Sequence, residues 1–249
     1  MIFNLSILTA TLNARANILR NLRFYRGLLE KYRIEWVIQD SELSSDGLES
    51  FPFPVNVNYK KSFDKGIYCA LNQAALRANS LWLITLGSDD TLAIDQFDKL
   101  IQLTHTEYNC KFIFLLPYML YSPLSSRLVN PKSPTRSKFY VGMPLSHQCI
   151  LAPRSLYLSF QYNLAYRYAS DMDWLLNLME SEINFVSVVS NSHFVTMSLT
   201  GLSSQLSLRL KICSEFIQIL RDHNFKEYEL IYLYLSYIKT FLQLKPCIL

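Results

Sequence analysis

The sequence predicts an α/β fold in which helices cover a largely parallel sheet. Short apolar segments of strand length alternate with longer segments whose apolar residues recur every three or four positions. Such alternation is typical of strands joined by helical crossovers, which make neighbouring strands parallel. Half of the 249 residues are hydrophobic and only 18% are charged, so the chain can bury a large core.

Seven apolar segments are the predicted strands. They are FNLSILTA (3–10), EWVIQ (35–39), VNVNY (55–59), LWLITL (81–86), FIFLL (112–116), QCILA (148–152) and FVSVV (185–189). The helix after the first strand is expected to bury Ile18, Leu22, Tyr25 and Leu29, with Asn13 as its N-cap. Further helices are predicted at 67–79, at 170–179 and around an inward face made by Ile94, Phe97 and Ile101.

Two regions of the chain depart from this alternation. Residues 122–144 contain four prolines and no clear period, which predicts a long functional or mobile loop. After residue 201 the pattern is only helical. We therefore predict a main domain at 1–205 and a C-terminal helical tail at 206–249.

Charge is unevenly distributed along the chain. The net charge of +4 is too small to indicate a nucleic-acid partner. However, no acidic residue lies between Glu107 and Asp171, and seven basic residues do. These are Lys111, Arg127, Lys132, Arg136, Lys138, Arg154 and Arg167. An anionic partner and an ordinary solvated face remain equal alternatives.

Cysteine spacing and hydropathy bear on localisation. The five cysteines form no C-x-x-C pair, which favours a reduced, cytoplasmic compartment without a zinc site. The most apolar segment, LIYLYLSYIKTFLQL (230–244), is interrupted by Lys239 and is shorter than the ~20 residues of a bilayer span. We expect a cytoplasmic protein whose tail contacts the membrane surface, as a peripheral protein of the inner membrane face.

Polar residues cluster where predicted strands end. Thr9 and Asn13 follow the first strand, Asp40 ends the second, and Asp89 and Asp90 follow the fourth. In open α/β sheets, ligands bind beyond the carboxyl ends of the strands. Paired carboxylates suit Mg²⁺ or Mn²⁺ bound together with phosphate oxygens. A metal–diphosphate site is one interpretation, and an ordinary turn rich in Asp and Ser is the other.

Several motifs in register resemble a known family. They are SILTATLNARANILRNL, EWVIQDSELSSDG, FDKGIYCALNQA, LWLITLGSDD, MPLSHQCILAPRSLY and YASDMDW, which together span about residues 3–203. The sequence resembles the family 2 glycosyltransferases of GT-A fold, especially bacterial members that assemble surface polysaccharide and lipopolysaccharide. It departs from the usual pattern of that family at Cys69, Gln73 and Asn177.

The resemblance implies a nucleotide-binding side of the site. By matching positions, Thr9 and Asn13 border the nucleotide and Asp40 holds its base. Asp64 is a second acid that contacts the nucleotide. Asp89 lies near the ribose and diphosphate. The implied donor is a nucleotide sugar, with a UDP-sugar preferred.

The resemblance also implies a catalytic side. Asp90 would bind the divalent metal, Mn²⁺ or Mg²⁺, and Asp171 would be the general base of an inverting enzyme, with Asp173 as a weaker substitute. His147 and Gln148 would face the sugar and acceptor. A bound cation stabilises the charge of a departing nucleoside diphosphate, and a carboxylate can deprotonate the attacking hydroxyl.

The function expected from these observations is that of an inverting, metal-dependent glycosyltransferase. Its acceptor would be a hydroxyl of a glycan or of a polyprenyl-diphosphate-linked intermediate. The alternative is a catalytically weak subunit that binds nucleotide sugar within a glycosyltransferase complex. A nucleotidyltransferase, P-loop kinase or Rossmann dehydrogenase is not indicated, because TATLNARAN contains no glycine and the six glycines are isolated.

The remaining histidines and the tryptophans are assigned by context. We expect surface positions for His105, His193 and His223, although His193 could complete a metal shell. We expect core positions for Trp36, Trp82 and Trp174.

Overall fold

The computed structural model describes residues 3–106, 111–122, 125–198, 206–231 and 233. Within these ranges the strands are β1 (Leu5–Thr11), β2 (Ile34–Ser41), β3 (Val57–Ser62), β4 (Trp82–Thr85), β5 (Thr91–Leu92), β6 (Phe112–Leu115), β7 (Tyr118–Ser122), β8 (Ser125–Val129), β9 (Ile150–Pro153), β10 (Asn184–Ser187) and β11 (Val195–Ser198). The α-helices are α1 (Arg15–Lys31), α2 (Ile67–Arg77), α3 (Phe97–Thr104), α4 (Arg154–Ser159), α5 (Ser170–Glu180) and α6 (Leu206–Asp222).

A seven-stranded sheet forms the centre of the fold, in the order β10-β6-β9-β4-β1-β2-β3. All neighbouring strands are parallel except at β9, which runs antiparallel to both β4 and β6. The predicted α/β fold with a mostly parallel sheet is confirmed, and each of the seven predicted strands overlaps one strand of this sheet.

The core is built where the sequence patterns indicate. β2 is buried along its whole length, and all but one residue of β1 is buried. Ile18, Leu22, Tyr25 and Leu29 form the buried face of α1 that their spacing predicts. Trp36, Trp82 and Trp174 are all fully buried, as expected.

A second sheet of four strands, in the order β5-β11-β7-β8, lies outside the sequence prediction. The prediction that residues 122–144 are irregular is wrong in part, because Ser125–Val129 forms β8, antiparallel to β7. Residues Arg136–Val141 add a short 3₁₀ helix. The first four residues of β8 are exposed, so the segment has no apolar face that a periodicity argument could detect.

Three single-residue expectations are corrected. Ile94 is 52% exposed, because it belongs to a 3₁₀ turn that precedes α3, and α3 buries Phe97, Leu100 and Ile101 instead. Asn13 does not cap α1, whose N-cap position is Ala14 without a side-chain hydrogen bond.

His223 follows α6 and is the third correction. It is buried rather than exposed, because its Nδ1 and Nε2 each lie 3.0 Å from a carboxylate oxygen of α5, on Glu180 and Asp173 respectively. His105 is exposed, as expected.

The structure bears on the membrane and redox expectations only in part. Among the described helices, none is long and apolar enough to cross a bilayer. Most of the apolar segment 230–244 lies outside the described residues, so its contact with a membrane stays a prediction. Cys69, Cys149 and Cys213 are free thiols.

Candidate active site

The carboxyl ends of the parallel strands meet at one edge of the large sheet. β1, β2, β3 and β4 run in the same direction, so the chain leaves all four from this edge. β9 runs in the opposite direction, so the residues just before Ile150 reach the same edge. This edge therefore collects the strand-end residues that the sequence analysis selected.

Asp40, near the end of β2, is fully buried, and both of its carboxylate oxygens accept hydrogen bonds. Ser44 Oγ donates to Oδ1 at 2.5 Å, and the Tyr59 hydroxyl donates to Oδ2 at 2.8 Å. Burial raises the pKa of Asp40, while these two hydrogen bonds oppose the rise. The carboxylate therefore has a fixed orientation, and a nucleotide base could bond to it only beside or in place of these partners.

Asn13 joins the loop after β1 to the loop after β2. Its backbone adopts a left-handed φ of 53°, a conformation that asparagine tolerates better than most residues. Its backbone N–H donates to Ser44 Oγ at 3.0 Å, and its Oδ1 accepts from the Ser45 N–H at 2.8 Å. The exposed Asn13 thus shapes the rim beside Asp40.

Thr9 is placed less favourably for ligand contact than Thr11. The Thr9 side chain is fully buried, and its hydroxyl accepts a 3.0 Å hydrogen bond from Trp36 Nε1. Thr11 lies two residues closer to the edge, on the same side of β1. It is 7% exposed, and its Oγ1 has no hydrogen-bond partner among the described residues. Thr11 is a candidate that the sequence analysis missed.

Asp64 has one occupied and one unpartnered oxygen. Oδ1 accepts from the Gly66 N–H at 2.8 Å, whereas Oδ2 is buried without a partner in the described part of the chain. A buried oxygen without a hydrogen bond costs about 1–3 kcal/mol. Asp64 Oδ2 and Thr11 Oγ1 are therefore the atoms at this edge to which a ligand or water would bond.

Asp90 is buried in a network of protein donors. Its Oδ1 accepts from the Ser198 N–H at 2.9 Å, and its Oδ2 accepts from the Gly87 N–H at 3.2 Å and from Gln148 Nε2. The net pKa of Asp90 is raised to about 6. Burial is the largest cause of this rise and the charge of Asp89 adds to it, while the hydrogen bonds from the Ser198 and Gly87 N–H groups oppose it.

Asp89 differs from its neighbour. It is half-buried, and its carboxylate has no hydrogen bond or ion pair to the described residues. Asn21, buried on α1, fixes the backbone on both sides of the acid pair by donating to the Ser88 carbonyl oxygen at 3.3 Å and to the Asp90 carbonyl oxygen at 2.9 Å. A carboxylate beside a second, buried carboxylate fits Mn²⁺ or Mg²⁺. In this geometry Asp89 is the readier metal ligand, and Asp90 would bind through an oxygen that it shares with protein donors.

A second acidic group lies in the loop after β2. Carboxylate oxygens of Asp40, Asp46 and Glu49 lie within 4.8 Å of one another. However, Asp46 accepts from the Arg15 N–H at 2.7 Å, and Glu49 pairs with Lys61 Nζ at 3.1 Å. Because all three acids already accept protein hydrogen bonds, this group holds the loop in place.

Asp171 lies in the first turn of α5, where the helix dipole favours a negative charge. Its Oδ1 accepts from the Tyr68 hydroxyl at 2.9 Å and from the Met172 N–H at 3.1 Å. Its Oδ2 has no partner among the described residues. Tyr68 comes from α2, which starts after β3, so this contact places Asp171 beside the edge described above. One oxygen is held and the other is free, which suits a proton acceptor.

His147 and Gln148 connect the two acidic sides of the site. His147 is 8% exposed and packs edge-on against Tyr68, with 6.5 Å between ring centroids. Burial lowers its pKa, against the charge of Asp171, so the imidazole is neutral at neutral pH. Gln148 bonds to Asp90. His147 thus contacts Tyr68, which is the hydrogen-bond partner of Asp171, and the adjacent Gln148 contacts the Asp90 carboxylate.

Comparison with solved structures agrees with this architecture. The chain matches TarS 1–349 from S. aureus with a TM-score of 0.62 and 13% identity, covering 98% of this chain and 75% of that one. It matches the complex of TarS 1–349 with UDP-GlcNAc with a TM-score of 0.62 and 15% identity, covering 94% and 72%. The mannosyltransferase PcManGT from Pyrobaculum calidifontis, in complex with GDP-Man and Mn²⁺, matches with a TM-score of 0.59 and 13% identity, covering 97% and 70%.

The chain has the GT-A fold. This confirms the fold that the sequence motifs imply. No protein-family profile and no curated protein sequence matches the chain. The chain covers 46% of a longer TarS structure. Because 98% of the chain is covered by the match to TarS 1–349, the structural likeness extends beyond residue 205.

Within this GT-A fold, Asp173 is not available as a substitute for Asp171. It is buried, its Oδ1 lies 3.0 Å from His223 Nε2, and its Oδ2 accepts from Asn177 Nδ2 at 3.2 Å. Asn177, one of the departures from the family pattern, therefore supports the helix contact between α5 and α6.

Two cations of the basic segment pack against other parts of the protein. Arg154 donates to the Ala75 and Leu76 carbonyl oxygens, close to Leu81, which directly precedes β4, and so away from the candidate site. The Arg136 guanidinium stacks 3.7 Å from the centre of the Phe225 ring. Two of the seven cations are thus used in packing, which weakens the case for a single anion-binding patch. His193 lies half-exposed in the loop before β11, and a role in a metal shell stays a prediction.

Proposed function

We propose that the protein is an inverting, metal-dependent glycosyltransferase that uses a nucleotide sugar, preferably a UDP-sugar. Its acceptor is a hydroxyl of a glycan or of a polyprenyl-diphosphate-linked intermediate in bacterial polysaccharide or lipopolysaccharide assembly, at the cytoplasmic side of the inner membrane. The GT-A fold supports this proposal, as do the matching structures of TarS 1–349 in complex with UDP-GlcNAc and of PcManGT in complex with GDP-Man and Mn²⁺.

The observation that carries the proposal is the geometry of Asp171. Its Oδ1 is held by Tyr68, and its Oδ2 is free to accept a proton. The acceptor oxygen attacks the anomeric carbon as its proton passes to Asp171, and the bond from that carbon to the diphosphate oxygen breaks. Attack from the side opposite the leaving group inverts the anomeric centre. The nucleoside diphosphate leaves with the electron pair of the broken bond.

The nucleoside would bind along the ends of β1, β2 and β3. Asp64 Oδ2 and Thr11 Oγ1 are buried there without a partner in the part of the chain that the structure describes, and they can bond to ribose hydroxyls or to a base N–H. Asp40 forms the floor of this pocket, and Asn13 fixes the loop at its rim. Thr9 supports the pocket from within the core, by holding Trp36.

The diphosphate side would be formed by Asp89 and Asp90. A divalent cation held there would supply Lewis-acid stabilisation to the diphosphate oxygens. Asp89 offers a carboxylate without a partner among the described residues, and the hydrogen bond from Gln148 holds the Asp90 carboxylate. His147, neutral and packed on Tyr68, would line the sugar side without adding charge.

Thermal denaturation with UDP, GDP, dTDP and CMP, each with and without Mn²⁺, tests the binding half of the proposal. A nucleotide at 100 times its dissociation constant stabilises the folded state by ~2.7 kcal/mol. We expect a Mn²⁺-dependent shift with UDP that is lost in Asp89→Asn. The matched control is Asp95→Asn, which removes an exposed carboxylate from the 3₁₀ turn after β5 and should keep the shift. A full shift in Asp89→Asn would contradict the metal assignment.

Hydrolysis of the sugar donor tests the catalytic half. We expect Asp171→Asn to lower the rate of UDP release from a UDP-sugar by about 10²–10⁴-fold while nucleotide binding is kept. Normal turnover in this variant would show that Asp171 is not the base. If the wild-type protein binds UDP with Mn²⁺ but turns over no donor, the catalytically weak partner subunit becomes the better interpretation.

A further inference from the structure

One carboxylate of α6 binds the backbone directly in front of α5. Glu215 Oε1 accepts from the Arg167 N–H at 2.9 Å, and its Oε2 accepts from the Tyr168 and Ala169 N–H groups at 2.7 Å and 3.0 Å. Glu215 lies in the middle of α6, about 45 residues further along the chain. Three consecutive amides therefore converge on a single side chain from another helix.

These three amides lie directly before α5, next to the positive end of the helix dipole. Ala169 is the N-cap residue of α5, and its side chain cannot accept a hydrogen bond. Glu215 binds the amide of this N-cap residue and the two amides before it, and it places a negative charge near the positive end of the helix. The position of the first turn of α5 therefore depends on α6.

The same segment is held from its other side by α2. The Tyr68 hydroxyl lies 2.9 Å from Asp171 Oδ1 and 3.1 Å from the Tyr168 carbonyl oxygen. Residues 167–171 are thus clamped between Tyr68 and Glu215. The Tyr166 hydroxyl adds a second bond to α6 by donating to Asp222 Oδ2.

We propose that Glu215 is a positioning residue that sets the location of Asp171. The inference rests on the proposed role of Asp171 as general base. Glu215 touches neither substrate nor reacting atoms in this account. It fixes the three amides, the amides fix the start of α5, and Asp171 follows two residues after the last of them. α6 is accordingly part of the catalytic unit.

The test uses the full chain carrying Glu215→Gln, which keeps the size of the side chain and removes its charge. The matched control is Glu227→Gln, the same change at a residue whose side chain is 77% exposed and, among the described residues, pairs with Arg221. The assay measures UDP released from UDP-GlcNAc with Mn²⁺ and water as acceptor. If wild type does not turn over UDP-GlcNAc, the donor is the sugar conjugate of the nucleotide that gives the largest thermal shift.

We expect Glu215→Gln to lower kcat about 10- to 100-fold, because small misplacements of a reacting group can cost that much, while KM for the donor stays within about twofold. The control should match wild type. Combined with Asp171→Asn, Glu215→Gln should lower kcat no further, because it acts through Asp171. A merely structural role would instead give additive losses and a changed KM.

Amide hydrogen exchange supplies a readout that does not depend on turnover. In Glu215→Gln, exchange should accelerate at residues 167–172 and stay as in wild type at β1 and β2. Unchanged exchange at 167–172, or unchanged kcat, overturns the positioning role. Normal turnover in Asp171→Asn instead overturns the assignment of the base, whatever Glu215 does.

Discussion

Gly87 allows the backbone to approach the Asp90 carboxylate, and replacing it by alanine should disrupt the site. An added Cβ would overlap with Asp90 Oδ2 and would lie 3.1 Å from Asp90 Cγ and 2.9 Å from Gln148 Nε2. Real Cβ atoms essentially never lie within 3.0 Å of another heavy atom, so the contacts with Asp90 Oδ2 and Gln148 Nε2 would be steric clashes. Either the carboxylate or the backbone between β4 and Asp90 must therefore move.

The magnitude follows from the bonds that such a movement breaks. Asp90 cannot simply rotate away, because Ser198, Gly87 and Gln148 all donate to it. Losing one hydrogen bond to a buried charged group costs about 1.5–3 kcal/mol. We therefore expect Gly87→Ala to destabilise the fold by about 2 kcal/mol, which lowers the Tm of a domain of this size by roughly 4–8 °C.

Urea denaturation and thermal melting measure this effect, and Gly27→Ala is the internal control. Gly27 lies exposed within α1, and an added Cβ meets no atom within 4 Å there. Alanine in a helix is about 0.5–1 kcal/mol more favourable than glycine, so the control should be slightly more stable than wild type. If Gly87→Ala is as stable as Gly27→Ala, the close packing around Asp90 does not exist in solution and the reasoning fails.

Three further predictions concern the base, the helix contact and the nucleotide pocket. Tyr68→Phe should lower the rate of donor hydrolysis about tenfold or more with KM unchanged, because Asp171 Oδ1 loses the hydroxyl that donates to it. An unaffected kcat would count against a role of Tyr68 in holding the base. Burial alone lowers the pKa of His223, but its hydrogen bonds to Asp173 and Glu180 produce a net rise. The ionised His223 side chain therefore stabilises the fold fully below its unfolded pKa of about 6.5, and this stabilisation is lost as the pH rises through its pKa in the folded state. His223→Gln should accordingly lower the free energy of unfolding more at about pH 6 than at about pH 9, as measured by urea titration. Thr11→Val should weaken UDP binding in calorimetry while leaving Tm without nucleotide unchanged or higher, since the unpartnered hydroxyl is removed; unchanged affinity argues against its contact with the nucleoside.

Burial on both faces made the large sheet predictable. Its central strands read as continuous apolar segments because helices cover both sides, and every predicted strand overlaps one of its members. The second sheet lacks this property. β7 is mostly half-buried or exposed, β8 is mostly exposed, and β7 pairs with β11, which is more than 70 residues away along the chain. Pairings of that kind leave no local period in the sequence.

The location of the candidate site was predictable, but its internal partners were not. Strand ends of a parallel sheet share an edge, so the acids that end β2 and follow β4 had to converge. Which donor meets which acid depends on side-chain geometry over long separations. Gln148 reaches Asp90 across 58 residues, and Tyr68 reaches Asp171 across 103. The capping rule failed at Asn13 because the loop after β2 supplies donors that hold this residue in a left-handed conformation.

The contact between α5 and α6 bears on the predicted division at residue 205. Asp173 and His223 are both buried, and burying a charged group is costly unless a partner compensates. A chain that ends at residue 205 would leave Asp173 without His223 and the amides before α5 without Glu215. Both losses fall on α5, within four residues of Asp171. Because the polar contacts of α6 support the helix that carries the proposed base, a chain cut at this boundary should lose turnover of the sugar donor, measured as UDP release.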